Sequence, residues 1–158
     1  MNHSPLQQHL LNLLDFKGAH LAFDEAVRGL MPEVRGKKTK SIPHTIWQLV
    51  EHMRIAQWDI LEFSRNGKHV SPKWPEGYWP ESAAPASDAA WKKSIAAFRS
   101  DLEEMKRLVI TSDDEVLYAR IPHGEGQTLL REALLVADHN SYHLGQLVML
   151  RKLLGAWK

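Results

Sequence analysis

Apolar residues recur at spacings of three and four along four segments of the chain, the period of an α-helix that buries one face. The first segment opens on Ser4 as a candidate N-cap, with Pro5 in the first turn and Gln7 where a capping box needs it. Its stripe predicts one helix that continues to Leu30, and Pro32 ends the segment. The stripe consists of Leu6, Leu10, Leu13, Phe16, His20, Phe23, Val27 and Leu30.

Three further segments carry the same period between recognisable start and stop signals. Thr45 and Thr128 are candidate N-caps, Gln48 is a capping-box partner, and Gly155 follows the last segment as a C-terminal signal. These predicted helices run from Thr45 to Asn66-Gly67, from Ser87 or Asp88 to about Val109, and from Leu129 to Leu154.

Four amphipathic helices predict an all-α fold, a four-helix bundle formed by a single domain over residues 1–158. No segment shows sustained alternation with a period of two, so we expect essentially no sheet beyond a short extended piece at Val116 to Ile121. The linker from Asn66 to Ala86 is long enough to cross the bundle, so the second and third helices can be parallel, although loop length does not demand it.

That linker also carries Trp74, Tyr78 and Trp79 between prolines. Aromatic residues in a proline-stiffened loop indicate a segment packed over the bundle, or a lid over a site. Packing is the more common of the two roles, and the sequence does not exclude the other.

The composition removes several classes of function. The net charge is +1, and Lys37, Lys38 and Lys40 form the only basic cluster, so we expect no nucleic-acid partner. No apolar run has the length of a membrane span and the N-terminus does not resemble a signal peptide, so we expect no membrane partner and a cytoplasmic protein. With no cysteine among 158 residues, a metal would be held by His, Asp, Glu, amide or water ligands.

Nine histidines are an excess, and two of them carry the most informative spacing in the chain. His139 and His143 are four residues apart, so both imidazoles leave the same face of the last helix. His52 lies beside the apolar stripe of the second helix, and His20 takes an equivalent place on the first. Three inward histidines with an open coordination position are typical of a catalytic metal site.

A different interpretation is that each histidine donates to a backbone carbonyl or fills a loop. For a single histidine this is the commoner outcome, and for the pair His139 and His143 the two readings are balanced. The pattern alone does not choose between His52 and His20 as the third ligand.

Two segments resemble the DinB-like family of metal-binding four-helix bundles. They are TIWQLVEHM at residues 45–53 and DHNSYHLGQL at residues 138–147, and the resemblance extends over nearly the whole chain. The HxxxH segment with its trailing Gly-Gln is the specific part. The resemblance implies an up-down-down-up bundle, one divalent metal and a homodimer. Imidazole nitrogen suits zinc, nickel, copper and iron alike, and we expect zinc first, with nickel as an alternative. The family's metal ligands fall on His52, His139 and His143.

Other polar residues near these histidines are candidates for supporting roles. Gln48 and Gln146 lie one helical turn from a ligand and are candidates for orienting a water or an imidazole at the metal, or simply polar residues at the edge of a stripe. His20 is a candidate pocket residue or fourth contact, and Asp59 is the only carboxylate within reach as a base. The remaining histidines are expected to be solvated: His3, His9, His44, His69 and His123.

Such a site predicts a metal-dependent enzyme that acts on a small electrophile, either as a low-molecular-weight thiol S-transferase or as a hydrolase. The resemblance implies the transferase branch, in which a thiol would enter as a cosubstrate. The alternatives are a non-catalytic bundle that binds a metal or small ligand, and an oligomerisation module. No catalytic residue beyond the ligands is assigned, and Trp47 and Trp157 are candidate interface aromatics.

Overall fold

The computed structural model describes residues 3–157, which form seven α-helices and no strand. Four longer helices make the bundle, and three helices of four or five residues lie in the connections. The seven are α1 (Pro5–Leu14), α2 (Phe23–Val27), α3 (Pro32–Arg35), α4 (Ile46–Arg65), α5 (Asp88–Thr111), α6 (Asp114–Tyr118) and α7 (Leu129–Leu153). The predicted all-α four-helix bundle is therefore confirmed.

The bundle helices begin where their capping residues predict. Thr45 and Gln48 form a capping box: the Thr45 hydroxyl accepts from the Gln48 amide at 3.2 Å, and Gln48 Oε1 accepts from the Thr45 amide at 3.0 Å. Ser4 caps α1 with the same kind of box, and Ser87 and Thr128 cap α5 and α7 with their hydroxyls. Each cap satisfies backbone N–H groups that have no partner inside their own helix.

Side-chain hydrogen bonds fix the directions of three bundle helices. Gln57 of α4 donates to the Phe98 carbonyl of α5, and Arg65, two turns further along α4, reaches Glu104, further along α5. These two helices are therefore parallel, as the long linker allows. In contrast, Gln7 in the first turn of α1 donates to carbonyls at the C-terminal end of α5, so α1 and α5 are antiparallel.

The direction of α7 completes the topology. His52 near the start of α4 faces His143 of α7, whereas Gln57 further along α4 bonds to Asn140, earlier in α7. The two helices are antiparallel, and the four bundle helices run up-down-down-up as expected. This arrangement places the histidines of α4 and α7 on facing sides of one helix pair.

The predicted first helix is wrong beyond its first three turns. α1 ends at Leu14 because the Phe16 backbone adopts a left-handed conformation with φ of 56°, and the next amide, that of Lys17, donates back to the Asn12 carbonyl at 2.8 Å. This C-terminal cap usually carries glycine, and a phenylalanine there gives no sequence signal. The remainder of the stripe folds as a loop and the short helix α2, and α3 begins after the stripe has ended.

Two smaller expectations also need correction. Val116 belongs to helix α6 and not to an extended piece; only Arg120 pairs across to Thr128 in an isolated bridge. Trp47 is 8% exposed and packs inside the bundle near Trp91, so it is not an interface aromatic in this fold.

Among residues 3–157, no helix is long and apolar enough to cross a membrane. The single domain over residues 1–158 stays a prediction.

Candidate metal centre

The inward nitrogens of three histidines converge between α4 and α7. His52 Nε2 lies 3.1 Å from His139 Nε2 and 3.1 Å from His143 Nε2. The ligand atoms of all three residues lie within 4.8 Å of one another. His139 and His143 are one turn apart on α7, as their spacing requires, and the antiparallel approach of α4 brings His52 opposite both. We call these three residues the three-histidine cluster.

The outer nitrogens decide where the protons of two rings sit. His52 Nδ1 lies 2.9 Å from the Tyr78 carbonyl oxygen, and His143 Nδ1 lies 3.0 Å from Gln146 Oε1. Since both oxygens can only accept, each Nδ1 carries the proton and donates it. The Nε2 atoms of His52 and His143 then present lone pairs to each other.

Burial keeps these rings neutral. It lowers the pKa of His52 to about 4 and that of His139 to about 3, and it lowers the pKa of His143 as well. His52 and His143 are buried and His139 is half-buried. Each imidazole therefore has an unprotonated nitrogen at neutral pH, the form that binds a metal.

Facing lone pairs without a proton between them are unfavourable in a buried site, because nothing compensates for the lost hydration. A divalent transition metal would resolve this by accepting one lone pair from each ring, and three imidazoles with a further open position match the donor set of catalytic zinc sites. The residues present fit such an ion. The three-histidine cluster is compatible with metal binding.

Trp79 covers one side of the cluster. Its ring stacks on His52 with centroids 3.8 Å apart and an interplanar angle of 2°, and His44 stacks on the opposite face of Trp79 at 4.0 Å. Trp79 therefore holds the plane of the His52 ring and separates it from His44. The linker carrying Trp79 packs against the site, so the packing role expected for this loop is realised at Tyr78 and Trp79, whereas Trp74 is largely exposed.

A groove of about 790 Å³ opens beside His143. Trp79 and His44 form one wall and the solvent-facing side of α7 forms the other. Its lining consists of Ile42, Pro43, His44, Trp79, Tyr142, His143, Gly145, Gln146, Met149 and Leu153. The lining contains no Asp, Glu, Lys or Arg, and burial lowers the pKa values of His44 and His143, which leaves this surface uncharged at neutral pH.

A family model of the DinB superfamily matches residues 16–147, well over half of the chain. The chain belongs to the DinB superfamily. The matched range contains α4, most of α7 and all three members of the cluster, which agrees with the resemblance seen in the two histidine segments. No curated protein matches the chain.

Asp59 has a structural role in this DinB-superfamily protein. Its two carboxylate oxygens accept hydrogen bonds from His69 Nε2 at 2.7 Å and from the Tyr78 hydroxyl at 2.5 Å. Burial, together with the bond to Asp59, raises the pKa of Tyr78 to about 12. We call Asp59, His69 and Tyr78 the Asp59 anchor, because they fix the linker to α4. Both oxygens are occupied, so the carboxylate suggested as a base is not directed at the cluster.

The other candidates divide into supporting and unrelated positions. Gln146 contacts a cluster ring, whereas Gln48 uses its amide oxygen to cap α4. The expectation that His20 faces inward from a helix is wrong: it is exposed beyond α1, with its nitrogens against the Leu21 carbonyl and the Ser141 hydroxyl.

Three histidines expected to be solvated have specific contacts instead, and one of them, His123, has its Nε2 2.6 Å from the Phe63 carbonyl oxygen. His44 lines the groove and His69 belongs to the Asp59 anchor. His69 lies in the linker, and His44, in the loop before α4, stacks on Trp79 of the linker, so neither position follows a periodic pattern. The sequence signal in the linker is the Tyr-Trp-Pro run at residues 78–80. It predicts a packed segment but not which α4 residue the aromatic rings contact.

Proposed function

We propose that the three-histidine cluster holds one divalent transition metal, zinc first and nickel as the alternative, and that the protein is a metal-dependent enzyme for a small electrophile. The observation that carries this proposal is the convergence of three Nε2 atoms, two of them with protons committed to the opposite side of the ring. A bound ion of this kind supplies Lewis acidity, which lowers the pKa of a bound thiol or water and favours nucleophile formation at neutral pH.

The groove beside His143 supports catalysis over a purely structural metal. A structural site closes its coordination sphere with protein atoms, whereas a catalytic site leaves one side accessible. Here His143 itself forms part of the groove wall, next to Trp79 and Tyr142. The groove has the size of a small-molecule site, and its aromatic walls can bind a flat or apolar group by stacking.

The same lining favours thiol transfer over hydrolysis. Hydrolysis commonly uses a carboxylate or histidine base to direct the water. No carboxylate lines the groove, and each oxygen of Asp59 accepts a hydrogen bond in the anchor. His44, whose ring is stacked on Trp79, is the lining histidine outside the cluster that a hydrolase would use as its base. A thiol is more acidic than water, so its deprotonation makes less demand on a base. In the proposed reaction the thiol loses its S–H proton to solvent, its sulfur forms a bond to the electrophilic centre, and the leaving group of the electrophile departs with the electron pair of the bond that breaks. The product is a conjugate of the whole low-molecular-weight thiol cosubstrate.

The uncharged lining further restricts the substrate class. An ammonium group in the groove would lose hydration without gaining an opposite charge, since no carboxylate lines it, whereas a carboxylate would be attracted by the proposed ion. We propose that the portion of thiol or electrophile that enters the groove carries no positive charge. The runner-up function is a non-catalytic bundle that binds a metal or small ligand. The homodimer and the cytoplasmic location stay predictions.

The test is a turnover screen on metal-loaded protein and on protein stripped by chelation. Generic electrophiles are offered with glutathione, bacillithiol or mycothiol, and product is measured by chromatography. We expect thiol-dependent product with loaded protein only. Mycothiol, which has no ammonium group, should exceed glutathione, whose ammonium group finds no carboxylate in the groove lining.

Three other outcomes would overturn parts of this proposal. Ester or amide cleavage without thiol would favour the hydrolase. Equal activity of stripped protein would remove the metal from the reaction. Stoichiometric metal without turnover on any pair would favour the binding protein.

A further inference from the structure

The three rings of the cluster differ in what holds their outer nitrogens. Two of them donate to an oxygen: His52 to the Tyr78 carbonyl and His143 to Gln146. The third, His139, has its Nδ1 buried without a hydrogen-bond partner among the described residues. A metal-binding histidine normally donates this proton to an acceptor that fixes its orientation.

The next residue carries the matching unused atom. Asn140 is 1% exposed, and its Oδ1 is also buried without a partner among residues 3–157. Its amide nitrogen donates to Gln57 Oε1 at 2.8 Å, and Gln57 Nε2 donates in turn to the Phe98 carbonyl at 2.7 Å. This chain of amides runs through α7, α4 and α5. Because the Asn140 donor is used on Gln57, its oxygen is left for another contact.

The two unused atoms have complementary chemistry, since an imidazole N–H can donate and an amide oxygen can accept. They do not form a hydrogen bond in the structure. Both side chains lie on the side of α7 that faces α4, since His139 Nε2 lies 3.1 Å from His52 Nε2 and the Asn140 amide donates to Gln57.

We propose that Asn140 is a positioning residue for the metal centre, whose Oδ1 accepts the Nδ1 proton of His139 directly or through one buried water. This inference rests on the proposed metal site. It assigns the third ring the same tautomer as the other two, with the Nε2 lone pair facing the ion. The Gln57–Asn140 pair then links the cluster to the backbone of α5.

The tautomer matters because a competing arrangement is available. His139 Nε2 lies 3.1 Å from His52 Nε2. If His139 carried its proton on Nε2, it could donate a hydrogen bond to His52, and neither nitrogen would then be free to bind a metal. An acceptor at Nδ1 draws the proton to the other side of the ring. Asn140 thereby favours the form that can bind a metal.

Three variants separate positioning from general packing. Asn140→Leu removes the acceptor at similar volume, and we expect zinc affinity, measured by chelator competition, to fall about 10- to 100-fold. Asn140→Asp keeps an acceptor toward His139 but breaks the link to Gln57, so affinity should stay within a few-fold while the melting temperature falls. Gln7→Leu is the matched control, since it removes another buried amide that bridges two helices away from the site.

Nitrogen-15 NMR of the imidazole rings supplies a readout that does not depend on activity. In metal-free wild type we expect His139 to carry its proton on Nδ1, and in Asn140→Leu to shift toward Nε2. Wild-type affinity in Asn140→Leu, or a loss no larger than in Gln7→Leu, would overturn the proposal, as would an Nε2 proton on His139 in the wild type. If the wild type binds no zinc, the metal site fails on its own, and the tautomer measurement still decides the role of Asn140.

Discussion

Two polar clusters lie two turns apart on α4, one around His52 and one around Asp59. In the Asp59 anchor, a carboxylate meets two donors, His69 Nε2 and the Tyr78 hydroxyl, at 2.7 and 2.5 Å. In the three-histidine cluster, His52 Nε2 lies 3.1 Å from the Nε2 atoms of His139 and His143, but the donors of two rings point outward. Both clusters place histidine in a largely buried environment, and they differ in whether the protein completes the hydrogen bonding.

This difference separates a structural from a functional use of buried polar groups. A buried group whose partners are all protein atoms rigidifies its surroundings. A buried set of hydrogen-bond acceptors without donors destabilises the folded state. Buried polar groups that lack partners in this way cluster at functional sites. Tyr78 connects the two regions, because its hydroxyl belongs to the anchor and its carbonyl accepts from His52. The anchor therefore holds the linker that orients one ring of the cluster.

The strongest test of this contrast removes histidines from each region. Wild-type protein should carry about one divalent ion per chain by elemental analysis, and the double variant His139→Ala/His143→Ala should carry none, with an affinity loss of more than about 100-fold. Added zinc should raise the melting temperature of the wild type and not of the variant, since only the folded wild type binds it.

His69→Ala is the matched control, because it removes a histidine with a largely buried side chain from the anchor. It should lower stability and leave the metal content unchanged. Full metal content in the double variant would refute the metal site. Loss of metal in His69→Ala would show that the two regions do not act separately.

A smaller effect is expected from the residue that joins them. Tyr78→Phe leaves the carbonyl that faces His52 and removes the hydroxyl that faces Asp59, so one carboxylate oxygen loses its donor. We expect a loss of about 1–3 kcal/mol in the free energy of unfolding by urea titration, with metal content retained. Tyr118→Phe, at an exposed tyrosine, should be nearly neutral. A Tyr78→Phe protein as stable as Tyr118→Phe would mean that the anchor does not stabilise the fold.

The sequence predicts those features of the two clusters that depend on helical periodicity. Thr45 and Gln48 predict where α4 begins, and the spacing of His139 and His143 predicts that both face the same side. The identity of the third ring, His52, needed the family resemblance, because His20 takes an equivalent place on the stripe of the first predicted helix. The structure separates them where the left-handed turn at Phe16 ends α1 and leaves His20 exposed.

The linker's contributions could not be predicted, because they arise from contacts between residues distant in sequence. Nothing in the local pattern indicates that the Tyr78 carbonyl meets His52, that His44 stacks on Trp79, or that His69 reaches Asp59. Loops have no period that assigns a face, so their residues are placed by packing. Supporting atoms of this site therefore come from the segment that sequence patterns describe least.

Near the anchor, one charge remains poorly compensated, and it provides the smallest test. Glu132 is 1% exposed; burial raises its pKa, nearby Asp59 adds to that rise, and Arg131 opposes it. The pKa of Glu132 is higher in the folded protein than its unfolded value of about 4.5. The protonated side chain therefore favours folding below pH 4.5, and this contribution to stability is lost as the pH rises through the folded-state pKa. Glu132→Gln should therefore be more stable than wild type at neutral pH, by on the order of 1 kcal/mol or less, with no advantage below about pH 4.5.

Urea midpoints measured across that range, with exposed Glu81→Gln as control, check this prediction. If Glu132→Gln were instead less stable than wild type at pH 7, the ion pair with Arg131 would compensate fully for the cost of burying the Glu132 charge.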